Sequence, residues 1–581
     1  MVPNITEDDR GRRGFLKMAG ATTTIGAGSM LAGCASSNSG SQGNGDGNGN
    51  GPKTAANTQT ESTGEIQPGG TLTVAMQSDY DTLHPHKIPG TTGTTIAENI
   101  GNALVKATPK GEVKPDLARE MPTVSNDGKQ YTFKLRKGVK FHPPYERELT
   151  ADDVVENWRN ILDPDYGAYG LSTYKGILTG ENVTPKETVQ KTGKYEVTFN
   201  LTEPFAPFLI KQAKMSAFGW FNIVPMEAVE EHGKDFGTPK TGIWSTGPFI
   251  YQADKSTAGS KYVLEKNPNY FKEGEGGQLP YLDKLVFQIS PESTTRTSSL
   301  KSGQIDIDES AAATSIKDLK NREKTHVVSK PSSAKMSQWV NRRNYEPFTK
   351  TKVRKALMHA ANRKAIVETK FRGYAAIAHS PLPPWHWAYD KDAAVTYEND
   401  TKKAKQLLKE AGESSFSFTC EPTNQPKFID VAKILQQNYK KIGIDMSIKP
   451  ASKGTTWQPL VGGWDDKSVP PKSWHSMIEN YTWGFSADDF TYATFHSEQP
   501  FNYTYYSNEK ADKAMEKARK TRDRKKRKEH YATAQKLITD DMPKPFLVWN
   551  NVSHAFRSRV NNFDVYPTAY MLFENVWVSQ N

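Results

Sequence analysis

The sequence predicts a mixed α/β body built as more than one lobe and carried behind an export leader and a flexible tether. Three observations predict it. Segments of alternating apolar residues interleave along the chain with segments of helical periodicity, and no fixed repeat length organises them. Setting aside the first 67 residues leaves somewhat over 500 (about 500 or more), too many for a single hydrophobic core. Residues 35–67 are Ser, Gly, Asn, Thr and Gln with almost no apolar side chain beyond Ala, so they cannot bury enough surface to offset the entropy of ordering them.

The leader comes first. Arg12-Arg13-Gly14-Phe15-Leu16-Lys17 carries a twin-arginine signature, and a weakly apolar run from Met18 to Leu31 follows. That run is too short and too rich in small residues to stay in a bilayer as a permanent helix. It ends in Leu31-Ala32-Gly33-Cys34, which resembles a lipobox. The expectation is a twin-arginine signal over 1–34, cleavage before Cys34 and lipid on its thiol. A body tethered by 35–67 then faces the outside of the cell membrane, stably so if the anchor carries two chains.

Composition bounds the rest. With Cys34 taken by lipid, Cys420 is alone, so no intramolecular disulfide is available and no structural zinc cluster can form. The formal charge of +11 is concentrated in Lys517-Ala518-Arg519-Lys520-Thr521-Arg522-Asp523-Arg524-Lys525-Lys526-Arg527-Lys528. This run reads as the solvated face of a surface helix with Ala511, Ala514, Met515 and Ala518 inward; a patch at a lipid surface is the alternative. No aromatic residues interleave with the basic ones, which counts against nucleic acid.

In chain order, Leu72, Val74 and Met76 alternate as a strand. A Gly/Thr loop is expected from Pro89 to Thr95, then a helix through Ile96, Ile100 and Leu104. Tyr131, Phe133 and Leu135 form a strand, and Val139 with Phe141 another. Thr150 caps a helix whose first turn carries Asp152 and Asp153 and whose buried stripe is Val154, Val155, Trp158, Ile161 and Leu162. Tyr195, Val197, Phe199 and Leu201 alternate again. Val353 to Val367 reads as two short helices. Leu407, Leu408 and Ala411 end at Gly412, a helix C-cap. Val431 to Ile442 is a helix stopping at Gly443, with a strand through Ile444, Met446 and Ile448, the half-unit of a βαβ layer.

These segments carry a family resemblance. YTFKLRKGVKFH (131–142), LTADDVVENWRNILDP (149–164), Ser245-Thr246-Gly247-Pro248-Phe249, Asn267-Pro268-Asn269-Tyr270, LPYLDKLVFQI (279–289), SLKSGQIDI (299–307), VRKALMHAANRKAIV (353–367) and AKQLLKEAG (404–412) follow in that order. Together they resemble the extracellular solute-binding proteins of peptide/nickel-type ABC importers, family 5 or cluster C, from about Pro68 to Asn581. The resemblance implies a two-lobed periplasmic-binding-protein-like fold with a hinge and an inserted subdomain. Lobe 1 would comprise 68–114, 242–331 and a C-terminal return over 548–581, with the insert at 115–241 and lobe 2 at 332–547. Ligand would sit between the lobes and favour their closure to the extent that it binds the closed form better.

No catalytic constellation emerges. The chain lacks a Gly-x-x-x-x-Gly-Lys-Ser/Thr loop, a Gly-x-Ser-x-Gly elbow, His-Glu-x-x-His and Cys-x-x-Cys. His84-x-His86 has no acidic partner nearby and is a weak metal pair. No cofactor is expected.

A binding cleft needs aromatic walls and a few placed polar groups. Trp457, Trp464, Trp474 and Trp483 lie close in sequence. Tyr481-Thr482-Trp483-Gly484-Phe485-Ser486-Ala487-Asp488-Asp489-Phe490 resembles the family's Trp-Gly-x-Asp-x-x-Asp-Pro-x-x-Phe loop. In peptide-binding members an Asp of this loop pairs with the peptide ammonium. This sequence is shorter there and lacks the proline, which makes Asp488 the first candidate and Asp489 the second, with Trp483 stacking on ligand. Core packing is the alternative for Trp483. From the other side Gly93, Thr94, Thr246 and Gly247 are candidates, and Ser332 and Ser333 fall where the chain crosses between lobes; turn and hinge geometry explains these residues equally well.

The implied function is capture of a di- or oligopeptide outside the membrane and its delivery to the permease, by a monomer that binds no nucleic acid. An oligosaccharide or nickel-chelate binder of the same family is the alternative. A secreted hydrolase is the reading of a different class, opposed by the missing nucleophile and metal set.

Overall fold

The computed structural model describes residues 64–580 except 89, 181, 217–219, 453–473 and 500. The leader with Arg12, Arg13 and Cys34, most of the tether, Trp457 and Trp464 lie outside the described residues. Residues 59–581 form one compact unit.

Alternation of Leu72, Val74 and Met76 produces β1 (Thr71–Met76), whose three apolar side chains are fully buried. Helix α1 (Thr91–Ile100) follows and corrects the loop expected over 89–95. Gly90 is its N-cap, every residue from Thr92 to Ile100 is buried, and Thr94 Oγ1 donates to the Gly90 carbonyl at 2.9 Å. Tertiary burial here overrides the weak helix propensity of Thr and Gly.

A four-stranded antiparallel sheet comes next: β2 (Thr123–Val124), β3 (Gln130–Lys134), β4 (Val189–Gly193) and β5 (Glu196–Asn200), in the order β2-β3-β5-β4. Helix α2 (Ala151–Ile161) packs on it. Thr150 N–H donates to Asp153 Oδ2 at 2.8 Å in the capping box, and Val154, Val155, Trp158 and Ile161 form the buried stripe. The strand expected at Val139 and Phe141 is not formed; Lys140 and Glu148 make an isolated bridge, and the prolines at 143 and 144 cannot donate to a ladder. A one-turn helix, α3 (Phe208–Gln212), ends this region. Its core, around Phe133, Trp158, Tyr174, Phe199 and Phe208, is dense in aromatic residues.

The chain then builds β6 (Phe249–Tyr251), β7 (Lys261–Lys266), β8 (Lys284–Ile289) and β9 (Ile307–Asp308), followed by the long β10 (Thr325–Val340). Beyond it lie α4 (Thr351–Ala360), β11 (Ala375–Ile377), α5 (Thr401–Glu410), β12 (Phe416–Cys420), α6 (Pro426–Lys440), β13 (Ile444–Ile448) and β14 (Ser476–Thr482). The last stretch supplies α7 (Ala487–Phe490), α8 (Glu509–Lys520), α9 (Arg524–Asp541) and a second long strand, β15 (Phe546–Arg557). Eleven strands join in one mixed sheet, β13-β12-β14-β10-β15-β9-β1-β8-β7-β6, with β11 on β15. Strand β12, helix α6 and β13 complete a βαβ unit, parallel from Phe416 opposite Ile444 to Cys420 opposite Ile448, and Gly443 takes the left-handed turn (φ 88°) that frees the chain from the helix.

Strands β10 and β15 each serve two cores. Val552 and Phe556 pack with Leu72, Val74, Leu285, Phe563, Val565, Phe573 and Val576. Met336, Val340, Leu547 and Val548 pack with Leu357, Leu408, Phe418, Leu435 and Ile444. The two strands pair antiparallel from Thr325 opposite Arg557 to Ser337 opposite Phe546, and their register shifts between Pro331 and Lys335. That irregularity loosens the ladder where it passes from one core to the other.

The basic run is not one helix. Helix α8 stops at Lys520, Thr521 and Arg522 turn the chain, and the Asp523 side chain caps α9 by accepting from Lys526 N–H. Ala511, Ala514, Met515 and Ala518 face inward as the spacing requires. Several of the cations are turned onto the protein: Arg522 donates to the Ser125 carbonyl at 3.0 Å, and Arg524 and Arg527 lie 4.9 and 4.7 Å from the Trp387 ring centre. No helix among the described residues is long and apolar enough to cross a membrane.

Candidate functional site

Beyond β14 the chain runs Trp483-Gly484-Phe485-Ser486 into α7, and this loop presses on the segment that follows α3. Gly484 is required by that approach: a Cβ there would lie 2.1 Å from the Ser216 carbonyl oxygen. Phe485 N–H donates to Ser216 Oγ at 3.2 Å, and the Phe485 ring packs over Gly111. On its other side Phe485 meets Trp385 at 5.8 Å, and its carbonyl accepts from His386 Nε2 at 3.0 Å. Burial lowers the His386 pKa to about 4, so the ring is neutral with its proton on Nε2, and Ala388 N–H donates to Nδ1 at 3.1 Å.

One turn further, Asp488 and Asp489 enter a buried polar cluster. Lys211 Nζ from α3 donates to Asp488 Oδ2 at 3.1 Å and also to Asp489 Oδ1. Arg519 Nε from α8 lies 3.0 Å from Asp488 Oδ1. The Arg519 guanidinium stacks over Tyr492 at 3.8 Å and Phe205 at 4.8 Å, and its carbonyl accepts from Ala206 N–H at 2.7 Å. Burial opposes a charge on Lys211, but the facing carboxylates of Asp489 and Asp488 outweigh it and hold its pKa above the ordinary lysine value. Two acids meet two bases, so the cluster is neutral. In this arrangement the Asp488 oxygens, expected from the sequence to meet a ligand ammonium, face Lys211 and Arg519, and the residue is 1% exposed.

Trp483 is half-buried among aromatic rings, 4.6 Å from Tyr481 and 5.5 Å from Phe501. Ser332 and Ser333 stand at the irregularity between β10 and β15. Ser332 Oγ donates to the Asn550 carbonyl at 2.7 Å, Trp385 Nε1 donates to the Ser332 carbonyl at 3.3 Å, and Ser333 N–H donates to the Pro567 carbonyl at 2.8 Å. The Ser333 hydroxyl is buried and has no hydrogen-bond partner among the described residues.

The other candidate residues make the following contacts within the protein. Gly93 lies within α1, where a Cβ would come 2.7 Å from the Thr82 carbonyl oxygen, and Thr94 bonds back to Gly90. Thr246 Oγ1 donates to Asn102 Oδ1 at 3.3 Å; Gly247 N–H donates to the Ile100 carbonyl at 2.9 Å, and its own carbonyl accepts from His142 Nε2 and Asn267 Nδ2, both at 2.9 Å. These four residues brace α1 rather than meeting the 483–490 loop. His84 and His86 share the Tyr166 hydroxyl, at 3.2 Å each, and burial drops the His86 pKa to about 3. Among the described residues no group of three or more His, Cys, Asp or Glu converges as a metal site.

Lys211, Ser216 and Trp385 are not legible in the sequence as site residues. Lys211 sits in Phe208-Leu209-Ile210-Lys211-Gln212, where a lone lysine carries no signal, and Arg519 was masked by the basic run around it.

The mixed α/β fold is that of periplasmic and extracellular binding proteins. The model of bacterial extracellular solute-binding proteins, family 5, middle region, matches residues 112–510, and the chain belongs to that family. Oligopeptide-binding protein AppA of Bacillus subtilis (strain 168) is 30% identical over 537 residues, 89% of this chain and 92% of that protein. The dipeptide-binding protein of Escherichia coli (strain K12) is 30% identical over 495 residues, 80% and 86% of the two chains. Heme-binding protein A of Haemophilus influenzae (strain ATCC 51907) is 27% identical over 519 residues, 84% and 89%. The structure of Bacillus subtilis AppA in complex with a nonapeptide superposes with a TM-score of 0.73 at 27% identity, covering 89% of this chain and all of that one.

Proposed function

We propose that this protein is the solute-binding component of an ABC importer and that it captures a di- or oligopeptide outside the membrane for delivery to the permease. The observation that carries the reading is the correspondence, over nearly the whole of both chains, with a relative solved around a nonapeptide. Strands β10 and β15 passing between two cores support a hinge. In this reading 68–114, 242–331 and 548–581 form one lobe, 332–547 the other, and 115–241 the inserted subdomain. The solute lies where the 483–490 loop, Trp385 and the crossing at Ser333 come together, with Trp483 as a stacking surface and Ser333 Oγ as a free donor. The neutral Lys211–Asp488–Asp489–Arg519 cluster forms a wall of the closed state.

The protein works as a monomer held by lipid on Cys34, with residues 35–67 as the tether. Mass spectrometry of the mature N-terminus tests the anchor: a diacylated Cys34 is expected, and an unmodified N-terminus elsewhere contradicts it.

The test of the function is a thermal-shift screen of the chain from residue 59 against pools of di- to nonapeptides, free amino acids and oligosaccharides. A saturable rise in Tm with a peptide pool and not with the others is expected. A response confined to oligosaccharides would overturn the peptide assignment.

A further inference from the structure

Side chains alternate along a strand, so Lys335, Ser337 and Trp339 share one face of β10 while Met336 and Val340 enter the opposite core. Lys335 is 6% exposed. Its ammonium lies 4.3 Å from the ring centre of Phe546, 5.0 Å from Trp549 and 5.7 Å from Phe495, and it donates to the Pro381 carbonyl at 2.9 Å. Lys544, just ahead of β15, is 2% exposed; its ammonium lies 3.2 Å from the Trp339 ring centre and 5.2 Å from Phe495. The two buried ammoniums therefore share the Phe495 ring.

Their surroundings differ from those of Lys211 in one respect. Lys211 meets two carboxylates, whereas no carboxylate among the described residues pairs with Lys335 or Lys544. The fully buried Ser337 hydroxyl has no hydrogen-bond partner among those residues. Aromatic faces stabilise a buried cation and favour its charged form. They do not supply the countercharge whose absence makes a desolvated ammonium costly, and two such cations side by side make matters worse. Burial pushes both lysines well below the usual lysine range, and Lys335 lowers Lys544 further. Among the described residues the set has unused donors on three side chains and no anion to meet them.

We propose that Lys335, Ser337 and Lys544 form a binding site for a small anionic group, a carboxylate or an inorganic oxyanion, against a wall of Trp339, Phe495, Phe546 and Trp549. Lys335 follows Ser333 by two residues, so an anion here would pin β10 beside the crossing between the two cores. The anion is either a free ion or a carboxylate of the transported solute; the second source rests on the peptide reading, and the first is independent of it.

The probes are acetate and inorganic phosphate, titrated into the chain from residue 59 at constant ionic strength set by a bulky sulfonate. A saturable rise in Tm is expected with at least one of them. Lys335→Met and Lys544→Met should each weaken the response at least tenfold, and both variants should melt higher than the wild type without anion, because each replaces a desolvated, poorly satisfied amine with an apolar side chain. Calorimetry of the wild type in buffers of different ionisation heat should show proton uptake on binding, since the anion restores the ammonium forms. Competition by a peptide with a free carboxyl terminus and not by its amide identifies the solute as the source; competition by neither identifies a free ion. The site is overturned if neither probe gives a saturable shift, or if both methionine variants respond as the wild type does. Should the variants fail to fold, binding heats independent of buffer in the wild type would overturn it equally.

Discussion

Lys211 and Asp488 are 277 residues apart in the chain and 3.1 Å apart in the fold, and both are buried. With Asp489 and Arg519 they form a neutral cluster that ties α3 to the loop after β14. An ion pair of this kind is weak evidence for net stability, because desolvation offsets the attraction. Breaking it from one side is costly, since it strands the other charge.

Lys211→Met should therefore destabilise the protein by about 3–5 kcal/mol. Adding Asp489→Leu should recover a large part of the loss, because the stranded carboxylate is then gone. Chemical denaturation of the four members of the cycle reads the coupling. Additive losses would show that the two groups do not act on each other.

Gly484→Ala tests the contact that brings the two segments together. Its Cβ would stand 2.1 Å from the Ser216 carbonyl oxygen, and backbone on both sides must move. We expect a loss of about 1–3 kcal/mol, the usual cost of overpacking, and faster hydrogen exchange at Phe485 N–H, which donates to Ser216 Oγ. An unchanged Tm and exchange rate would contradict so close an approach.

Glu98 sets a pH dependence. It is fully buried on α1, accepts from Met215 N–H at 2.9 Å, and burial pushes its pKa up to about 7. A carboxyl group raised in the folded state contributes stability that is complete below its unfolded value near 4.5 and is lost as pH rises through 7. Glu98→Gln should thus gain on the wild type as pH goes from 4.5 to 8, by up to about 3 kcal/mol. Unfolding curves at the two pH values check it; a constant difference between variant and wild type would contradict it.

Cys420 is fully buried on β12, and burial drives its thiol pKa up to about 12. The chain from residue 59 contains this one cysteine. Native protein at pH 8 should resist iodoacetamide, and one alkyl group should be added only after unfolding. Rapid native labelling would place the thiol at an accessible surface.

Much of the scaffold was legible because its signals are local. Thr150 with Asp153, the stop at Gly443 before Ile444, and the alternation of Leu72, Val74 and Met76 each state an element within a few residues. The elements that depart from their local pattern do so for one reason. The threonines of 91–95 look like a loop until the core that buries them is known, and the basic run hides the Asp523 cap inside it. The site was legible on one side: the 483–490 loop stood out by its pattern. Lys211 did not, because what gives it meaning lies 277 residues away and leaves no periodicity behind.

The most direct measurement of the central claim is native mass spectrometry of the chain from residue 59 as purified, followed by denaturation and identification of what is released. Lobes that close on a solute tend to retain it when the closed form binds it better. The account predicts a mass excess that resolves, on denaturation, into one or more short peptides. Release of a glycan or a metal chelate in their place, with no peptide bound, would contradict it.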